Sequence, residues 1–449
     1  MELEPQLWPA TARLAADGSL QVGGCSIPDL AHNYRTPLYV LDLLTLQRTA
    51  RRYRTAFAEH YPATTSIHYA SKALLNTAVA QLMADAGLGL DCVSLGEVEI
   101  ALRAGLDPQE LHLHGNAKPA HELQQALMHG VGRIVVDSLD ELRLLRELTR
   151  ERATPYPIWL RLNPGIDVHT HAHIQTGQLD SKFGLPIING MARAALDLLR
   201  NVPELKLVGI HAHLGSQITE LDVLQLGVER LLAFAAQVRD DFGWTIEDLS
   251  PGGGLAVAYQ AGDPTVSIEV YAQALSQAVV AQCEQVGLAL PRLVIEPGRS
   301  LIARAMVAVY EVLAVKAIPG VRTYAAVDGG MGDNLRPALY DAHYTVRRAS
   351  ARLDQELQPA TVVGRYCESG DVLVRDASLP PLVAGDLLAL AQAGAYTLSM
   401  ASNYNQVARP ALVLVADGVS YLLQRRETVD DLVSRDRELP WKVRSQHAT

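Results

Sequence analysis

The sequence predicts an α/β protein: a parallel (β/α)8 barrel of the TIM type plus a C-terminal antiparallel β-sandwich or β-barrel domain. Three observations carry this. Eight short apolar runs, at 66–71, 89–94, 111–115, 133–137, 157–163, 207–214, 247–251 and 292–296, mostly alternate with stretches of helical period such as Ala117–Gly130, Leu139–Arg150 and Leu221–Phe242. Eight strands alternating with helices is the count of a closed parallel barrel. No glycine-rich dinucleotide fingerprint follows the first run, which disfavours the doubly wound open sheet. Past residue 305 the texture changes: MVAVYEVLAVKAI, TVVGRYCESGDVLV and ALVLVADGVSYLL run apolar or alternate between turn residues, with no long helix among them.

In chain order, residues 1–36 hold strand-like pieces broken by Gly18, Gly23, Gly24 and Pro28 and are expected to join the β domain. Pro37–Asp42 (PLYVLD) leads into a helix over about 43–60 and opens a barrel domain placed at 37–305. The β domain is placed at 306–426, so that the barrel is inserted between its two parts. The charged tail at 427–449 reads as a terminal helix and then a loose end.

Composition bounds the function. The chain has 449 residues, 49% hydrophobic and 20% charged, ample for a large core. A net charge of −10 disfavours nucleic acid and anionic membrane as partners. Cys25, Cys92, Cys283 and Cys367 show no close pairing pattern, which points to a reducing compartment. The first residues lack a basic and then apolar signal layout, and no apolar run is long enough to span a bilayer. A soluble, cytoplasmic protein is expected.

In a barrel of this kind the reactive face lies at the carboxyl ends of the strands. Strand one ends at Lys72, strand two at Asp91, strand three at His114-Gly115-Asn116 and strand five at Arg161 and Asn163. Strand six ends in His211, His213 and Ser216, strand seven in Gly252, Gly253 and Gly254, and strand eight in Glu296, Gly298 and Arg299. Nearly every strand thus delivers a polar residue or a glycine to one rim. Each has a bland reading: a solvated lysine, a tight glycine turn, a capping glutamate. A metal chelate at His211 and His213, or at His169, His171 and His173, is disfavoured because no cysteine or carboxylate sits at a tight ligand spacing, so no metal is expected. Among the six lysines, Lys206 precedes its strand, Lys316 and Lys442 lie outside the barrel, and Lys118 and Lys182 sit in loops.

Taken together these parts describe a site for pyridoxal phosphate. A lysine in a partly dry site forms an imine readily, and three glycines beside a helix let backbone N–H groups close on a phosphate. An imidazole can stack on the pyridine ring, and a carboxylate keeps its nitrogen protonated as an electron sink.

The motifs YASKA (69–73), HAHLGSQ (211–217), PGGG (251–254), EPGR (296–299), NLRPALY (334–340), CESGD (367–371) and AGAY (393–396) resemble the diaminopimelate decarboxylase family, one of the alanine-racemase-like pyridoxal phosphate enzymes. GNAKPAHEL (115–123) and HTHAHIQTGQLDSKFG (169–184) look like that family too, so the resemblance runs over nearly the whole chain. It implies the barrel plus β domain, decarboxylation of meso-2,6-diaminopimelate to L-lysine and CO2, and a head-to-tail homodimer with shared active sites. By position it implies Lys72 as the Schiff-base lysine, His213 as the stacking imidazole and Glu296 as the pyridine-nitrogen partner. Asp91, Ser216, Gly252, Gly253, Gly254, Gly298, Arg299 and Tyr396 would also bind the cofactor. Arg299, Arg336, Tyr340, Glu368 and Tyr396 would bind substrate, with Cys367 catalytic and, like Glu368, contributed by the neighbouring subunit.

The residue types agree with a substrate that carries amino-acid groups at both ends, since its retained end needs a carboxylate clamp and an anion for its ammonium. Leu95 and Ala256 stand where the family usually or often has glycine, and both read as packing variation. The competing readings are a related decarboxylase of ornithine, arginine or a carboxylated polyamine, an amino-acid racemase, and a non-enzymatic pyridoxal phosphate carrier. Arg299 and Arg336 disfavour the first, the CESGD motif the second, and the β domain the third.

Overall fold

The computed structural model describes residues 3–166, 181–351 and 356–440. The chain divides into two compact units, one formed by Leu44–Arg304 with Gly394–Ser399, the other by Met1–Leu43, Ala305–Ala393 and Met400–Thr449.

The first unit is the barrel. Its strands are β1 (Thr65–Ala70), β2 (Gly89–Cys92), β3 (Leu111–Leu113), β4 (Arg133–Val136), β5 (Tyr156–Asn163), β6 (Leu205–His211), β7 (Asp248–Gly252) and β8 (Arg292–Ile295). Every neighbouring pair is parallel, and β8 pairs with β1 (Ile295 opposite Ile67), which closes the ring. Each strand lies within two residues of its expected run except at the carboxyl end of β6, which stops three residues early; β2 and β3 stop two residues early. There the backbone turns out of the ladder to form the rim. A further two-residue strand, Leu185–Pro186, adds to β5.

Serine and asparagine side chains start four of the described barrel helices. Asn76 accepts from Val79 N (2.9 Å), Ser94 from Glu97 N (3.3 Å), Ser138 from Glu141 N (3.2 Å) and Ser267 from Val270 N (3.2 Å), each meeting a backbone donor that the first turn leaves open. Gly287, at φ +66°, ends the last long helix, Ile268–Val286, in the left-handed conformation that a side chain disfavours.

The barrel interior mixes apolar and polar layers. Val135, Trp159, Val208 and Val294 form one buried cluster. His68 on β1 stacks on His112 on β3 at 3.9 Å between centroids, and His112 meets the Trp159 ring at 4.4 Å. Asp248, the first residue of β7, accepts from Trp159 Nε1 (3.1 Å), Arg133 Nε (3.1 Å) and Arg292 Nε (2.8 Å). Arg133 and Arg292 are likewise first in their strands, so this one carboxylate ties three strand starts together and closes the amino end of the barrel. Removing it would leave two partly buried guanidinium groups uncompensated. The opposite end is left for chemistry.

The second unit contains a branched sheet. Along its main path the strands run Val372–Leu379, Gln358–Val363, Arg322–Val327, Met306–Ile318, Leu38–Asp42, Ala411–Ala416 and Val419–Gln424, with Leu387–Leu390 branching from Met306–Ile318 and pairing with Val346–Arg348. The sequence reading called this domain antiparallel. The structure corrects that to a mixed sheet, because Leu38–Asp42 runs parallel to Ala411–Ala416, and Arg322–Val327 runs parallel to Gln358–Val363.

The expected boundary at residue 37 also needs correcting. Leu38–Asp42, placed with the barrel, is a fully buried strand of the second unit, hydrogen-bonded on both edges. Conversely, Gly394–Ser399, placed in the β domain, groups with the barrel: Tyr396 N and Ser399 Oγ both donate to Ala73 O (2.9 Å each), and Gly394 N donates to Ala303 O (3.1 Å). Beyond the sheet, a capping box between Thr428 and Asp431 starts the helix Val429–Val433.

Within this unit, two buried carboxylates organise two loops. Asp333 accepts from the hydroxyls of Tyr39 (3.0 Å) and Tyr310 (2.6 Å) and from Gly330 N (2.9 Å). Asp371 accepts from Met331 N (2.7 Å) and Tyr366 N (2.8 Å), tying the loop after Val327 to the loop that carries CESGD.

Candidate active site

The carboxyl ends of the barrel strands surround a cleft of about 390 Å³. Lys72 projects into it from a single 3-10 turn, Ser71–Ala73, that follows β1 directly. Its neighbours are anionic or polar. Burial works against the ammonium charge, but Asp91, the Tyr396 hydroxyl and Glu296 outweigh it and hold the lysine above its ordinary pKa. Asp91, on β2, is buried, and its Oδ1 has no hydrogen-bond partner. Burial pushes its carboxyl up to about 7 while the Lys72 charge pulls it down, so the lysine is what favours an anion there.

Glu296 follows β8 at the floor of the cleft, its side chain only 4% exposed. Ser250 Oγ donates to Oε1 (2.8 Å) and His211 Nε2 lies 2.9 Å from Oε2, while His114 Nε2 stands 3.6 Å from Oε1. Burial alone would raise this carboxyl. The two imidazoles and the two hydrogen bonds overcome it and hold the group well below the usual carboxylate range. His213 also faces the cleft, where it is open to solvent; loss of hydration in the cleft, followed by Lys72, His211 and Arg161, biases its imidazole downward.

One side of the cleft suits an anion. Arg299 is flanked by Ser216 (Nη2 to Oγ, 3.4 Å) and Tyr259 (Nη1 to the hydroxyl, 2.8 Å), stands 4.8 Å over the Tyr396 ring, and has an Nε without a partner. Gly254 and Gly298 bring bare backbone to the same side. Gly254 has φ +101°, and a Cβ there would meet Gly215 O at 2.2 Å, so the loop tolerates no side chain.

Of the expected residues, the cleft unites Lys72, Asp91, His213, Ser216, Gly254, Glu296, Gly298, Arg299 and Tyr396. Gly252 and Gly253 are not among its lining residues. A Cβ on Gly252 would lie 2.9 Å from His213 Nδ1 and one on Gly253 2.0 Å from Glu296 O, so these two glycines let the strand ends close behind the site. Arg336, Tyr340, Cys367 and Glu368 belong to the second unit. There Arg336 is buried and donates to the Tyr344 hydroxyl (2.6 Å), Tyr340 is exposed, and Cys367 is exposed with its N–H on Asn405 Oδ1 (3.1 Å). His169, His171 and His173 lie outside the described residues. Leu95 and Ala256 take part only through backbone donors, to Glu122 Oε2 (2.9 Å) and Ile218 O (3.2 Å).

Sequence reasoning gave no role to Tyr259, Ser250 or Ser300. Ser300 lines the cleft and shares a 2.5 Å hydrogen bond with Tyr53. Ser250 directly precedes one glycine motif, while Tyr259 and Ser300 follow one, and that placement is the signal that could have found them.

Pyridoxal phosphate fits what these residues offer: an amine for an imine, an anion held at the floor, an imidazole, and an unpartnered Arg299 Nε beside bare backbone for a phosphate. A parallel barrel with this donor set at its carboxyl rim defines a pyridoxal phosphate enzyme. The family "Pyridoxal-dependent decarboxylase, pyridoxal binding domain" matches residues 43–303. The chain is 42% identical to a diaminopimelate decarboxylase of Synechocystis over 96% of its own length and 92% of that protein, and 40% identical to one of Bacillus subtilis over 96% and 98%. A crystal structure of the M. jannaschii diaminopimelate decarboxylase in complex with L-lysine superposes with a TM-score of 0.91 at 32% identity, covering 96% of this chain and 99% of that one. The chain belongs to the pyridoxal-dependent decarboxylases and, within them, to the diaminopimelate decarboxylase family.

Proposed function

We propose that this protein is a carboxy-lyase that converts meso-2,6-diaminopimelate to L-lysine and CO2, using pyridoxal phosphate. The observation that carries the reading is a donor set for that cofactor gathered in one cleft of a chain that is similar along 96% of its length to proteins of that activity.

Bound there, pyridoxal phosphate supplies an electron sink for the pair of electrons left when the carboxylate departs as CO2. The protein's own groups do the rest. Lys72 would hold the cofactor through its amine. Glu296, kept anionic by His211 and Ser250, would accept the ring N–H and keep the sink cationic. His213, on the cleft wall, would stack on the ring. Ser216, Gly254, Gly298, Arg299 and Tyr396, which line the cleft, would bind the phosphate. Arg299, Arg336, Tyr340 and Tyr396 recognise the far carboxylate of the substrate, and Glu368 its ammonium. Cys367 returns a proton to the α-carbon. The working form is a cytoplasmic homodimer in which the partner's Cys367 and the partner's Glu368 complete each site.

The test is CO2 release from meso-diaminopimelate, lysine, ornithine and arginine by the purified protein with pyridoxal phosphate. The expected result is stoichiometric CO2 and L-lysine from diaminopimelate alone. Preferential release from ornithine or arginine, or none from any, would overturn the assignment.

A further inference from the structure

Glu296 does not stand alone at the cleft floor. His211 ends β6, Ser250 lies directly opposite it on β7, and Glu296 follows β8, so three consecutive strands meet at one carboxylate. The side chains of His211 and Glu296 are 2% and 4% exposed. A carboxylate can only accept, so the His211 ring proton belongs on Nε2, 2.9 Å from Oε2, while the buried Nδ1 has no partner. Ser250 is fixed in the same sense: its oxygen takes the N–H of Gly252 (3.1 Å), and its hydroxyl proton goes to Oε1 (2.8 Å). Both oxygens are thus occupied from behind by donors. His114 Nε2 (3.6 Å) and, further off, Asp91 and His68 also face the group, none of them within hydrogen-bond reach.

We propose that His211 is a positioning residue, acting with Ser250 to lock Glu296 as an oriented anion that faces the cofactor ring. The inference rests on the reading of Glu296 as the ring-nitrogen partner. A buried carboxyl without donors favours its neutral form, and a neutral acid is a poor anchor for a protonated ring nitrogen. The two backing bonds remove that option, and they aim the remaining lone pairs into the cleft. Ser250 also links the floor to the glycine loop through Gly252 N, so one hydroxyl sets both.

The experiment compares the pyridoxal-phosphate-loaded wild type with His211→Leu, His211→Gln, Ser250→Ala and Glu296→Gln. The readouts are the absorption spectrum of the bound cofactor, the dissociation constant of pyridoxal phosphate from the unloaded protein, and kcat separately from KM. His211→Leu removes the donor. It is expected to lower kcat by about tenfold to a hundredfold, the worth of a hydrogen bond to a charged group, with KM within about twofold. The same variant should shift the cofactor spectrum and weaken cofactor binding. His211→Gln keeps an N–H donor at nearly the same place and should restore all three readouts to near wild type. Ser250→Ala should show a smaller change in the same direction, and it carries the test if His211→Leu does not fold. Equal losses in the Leu and Gln variants with an unchanged spectrum would reduce His211 to packing and overturn the proposal, as would wild-type kcat in both His211→Leu and Ser250→Ala. Wild-type kcat in Glu296→Gln would instead refute the ring-nitrogen reading itself, which distinguishes the two failures.

Discussion

His213 and Glu296 show how much of the chemistry is set by neighbours rather than by residue type. Their positions were legible because a strand end in a parallel barrel is a defined place, and Lys72 was picked out for the same reason. The His211–Ser250–Glu296 contact was not legible. Alternation says which face of a strand a side chain takes, but not which residue of the next strand stands opposite, and that register exists only in the closed ring. Burial has a measurable consequence for the imidazoles. It lowers His68 to about 4, and His112 and His114 fall well below their ordinary value. All three have folded pKa values below that of the unfolded chain, about 6.5. Their contribution to stability is therefore fully present above about pH 6.5 and lost as the pH falls toward 4. NMR of histidine-labelled protein should show three imidazoles, those of His68, His112 and His114, still unprotonated at pH 5. Protonation of all of them near pH 6.5 would contradict the buried arrangement.

At the scale of elements, the eight barrel strands were readable because a parallel strand covered on both faces is a short continuous apolar run. Leu38–Asp42 reads the same way and precedes a helix, so it was counted with the barrel. Only its partners, Met306–Ile318 on one edge and Ala411–Ala416 on the other, reveal where it belongs. The parallel pairs of the second sheet escaped detection for the same reason: strand direction depends on the connection and not on composition. The glycine run after β7 was expected to hold phosphate as a whole. In the structure Gly254 reaches the cleft, while Gly253 lets β7 pass β8. Gly253→Ala would place a Cβ 2.0 Å from the carbonyl oxygen of Glu296, a backbone atom that cannot step aside. The expected cost is at least about 1–3 kcal/mol of stability, as for overpacking in a tight core, together with a loss of cofactor affinity. Thermal unfolding and cofactor titration would measure both, and a variant with wild-type values in each would show that β7 and β8 have room to separate.

At the scale of the whole molecule, the barrel unit holds one set of candidate groups and the second unit holds Arg336, Tyr340, Cys367 and Glu368, two sets joined only by their roles in the proposed reaction. Sequence motifs named both sets, since CESGD and NLRPALY are local signatures. Their meeting across a dimer remains the part of the proposal that no local pattern encodes. Complementation addresses it: Lys72→Ala and Cys367→Ala subunits, each inactive, are mixed and allowed to exchange. If the partner's Cys367 completes each site, a heterodimer has one intact site and one with both lesions, and about a quarter of wild-type activity returns on random exchange. Exchange seen by mass without recovered activity would place Cys367 outside a shared site. The central claim is narrower still, that Lys72 at the end of β1 is the amine that holds the cofactor. Reducing the pyridoxal-phosphate-loaded protein with borohydride and mapping the fixed cofactor by peptide mass tests it most directly. The account predicts label on the peptide containing Lys72 alone; label on Lys118 or Lys182, or no label, would contradict it.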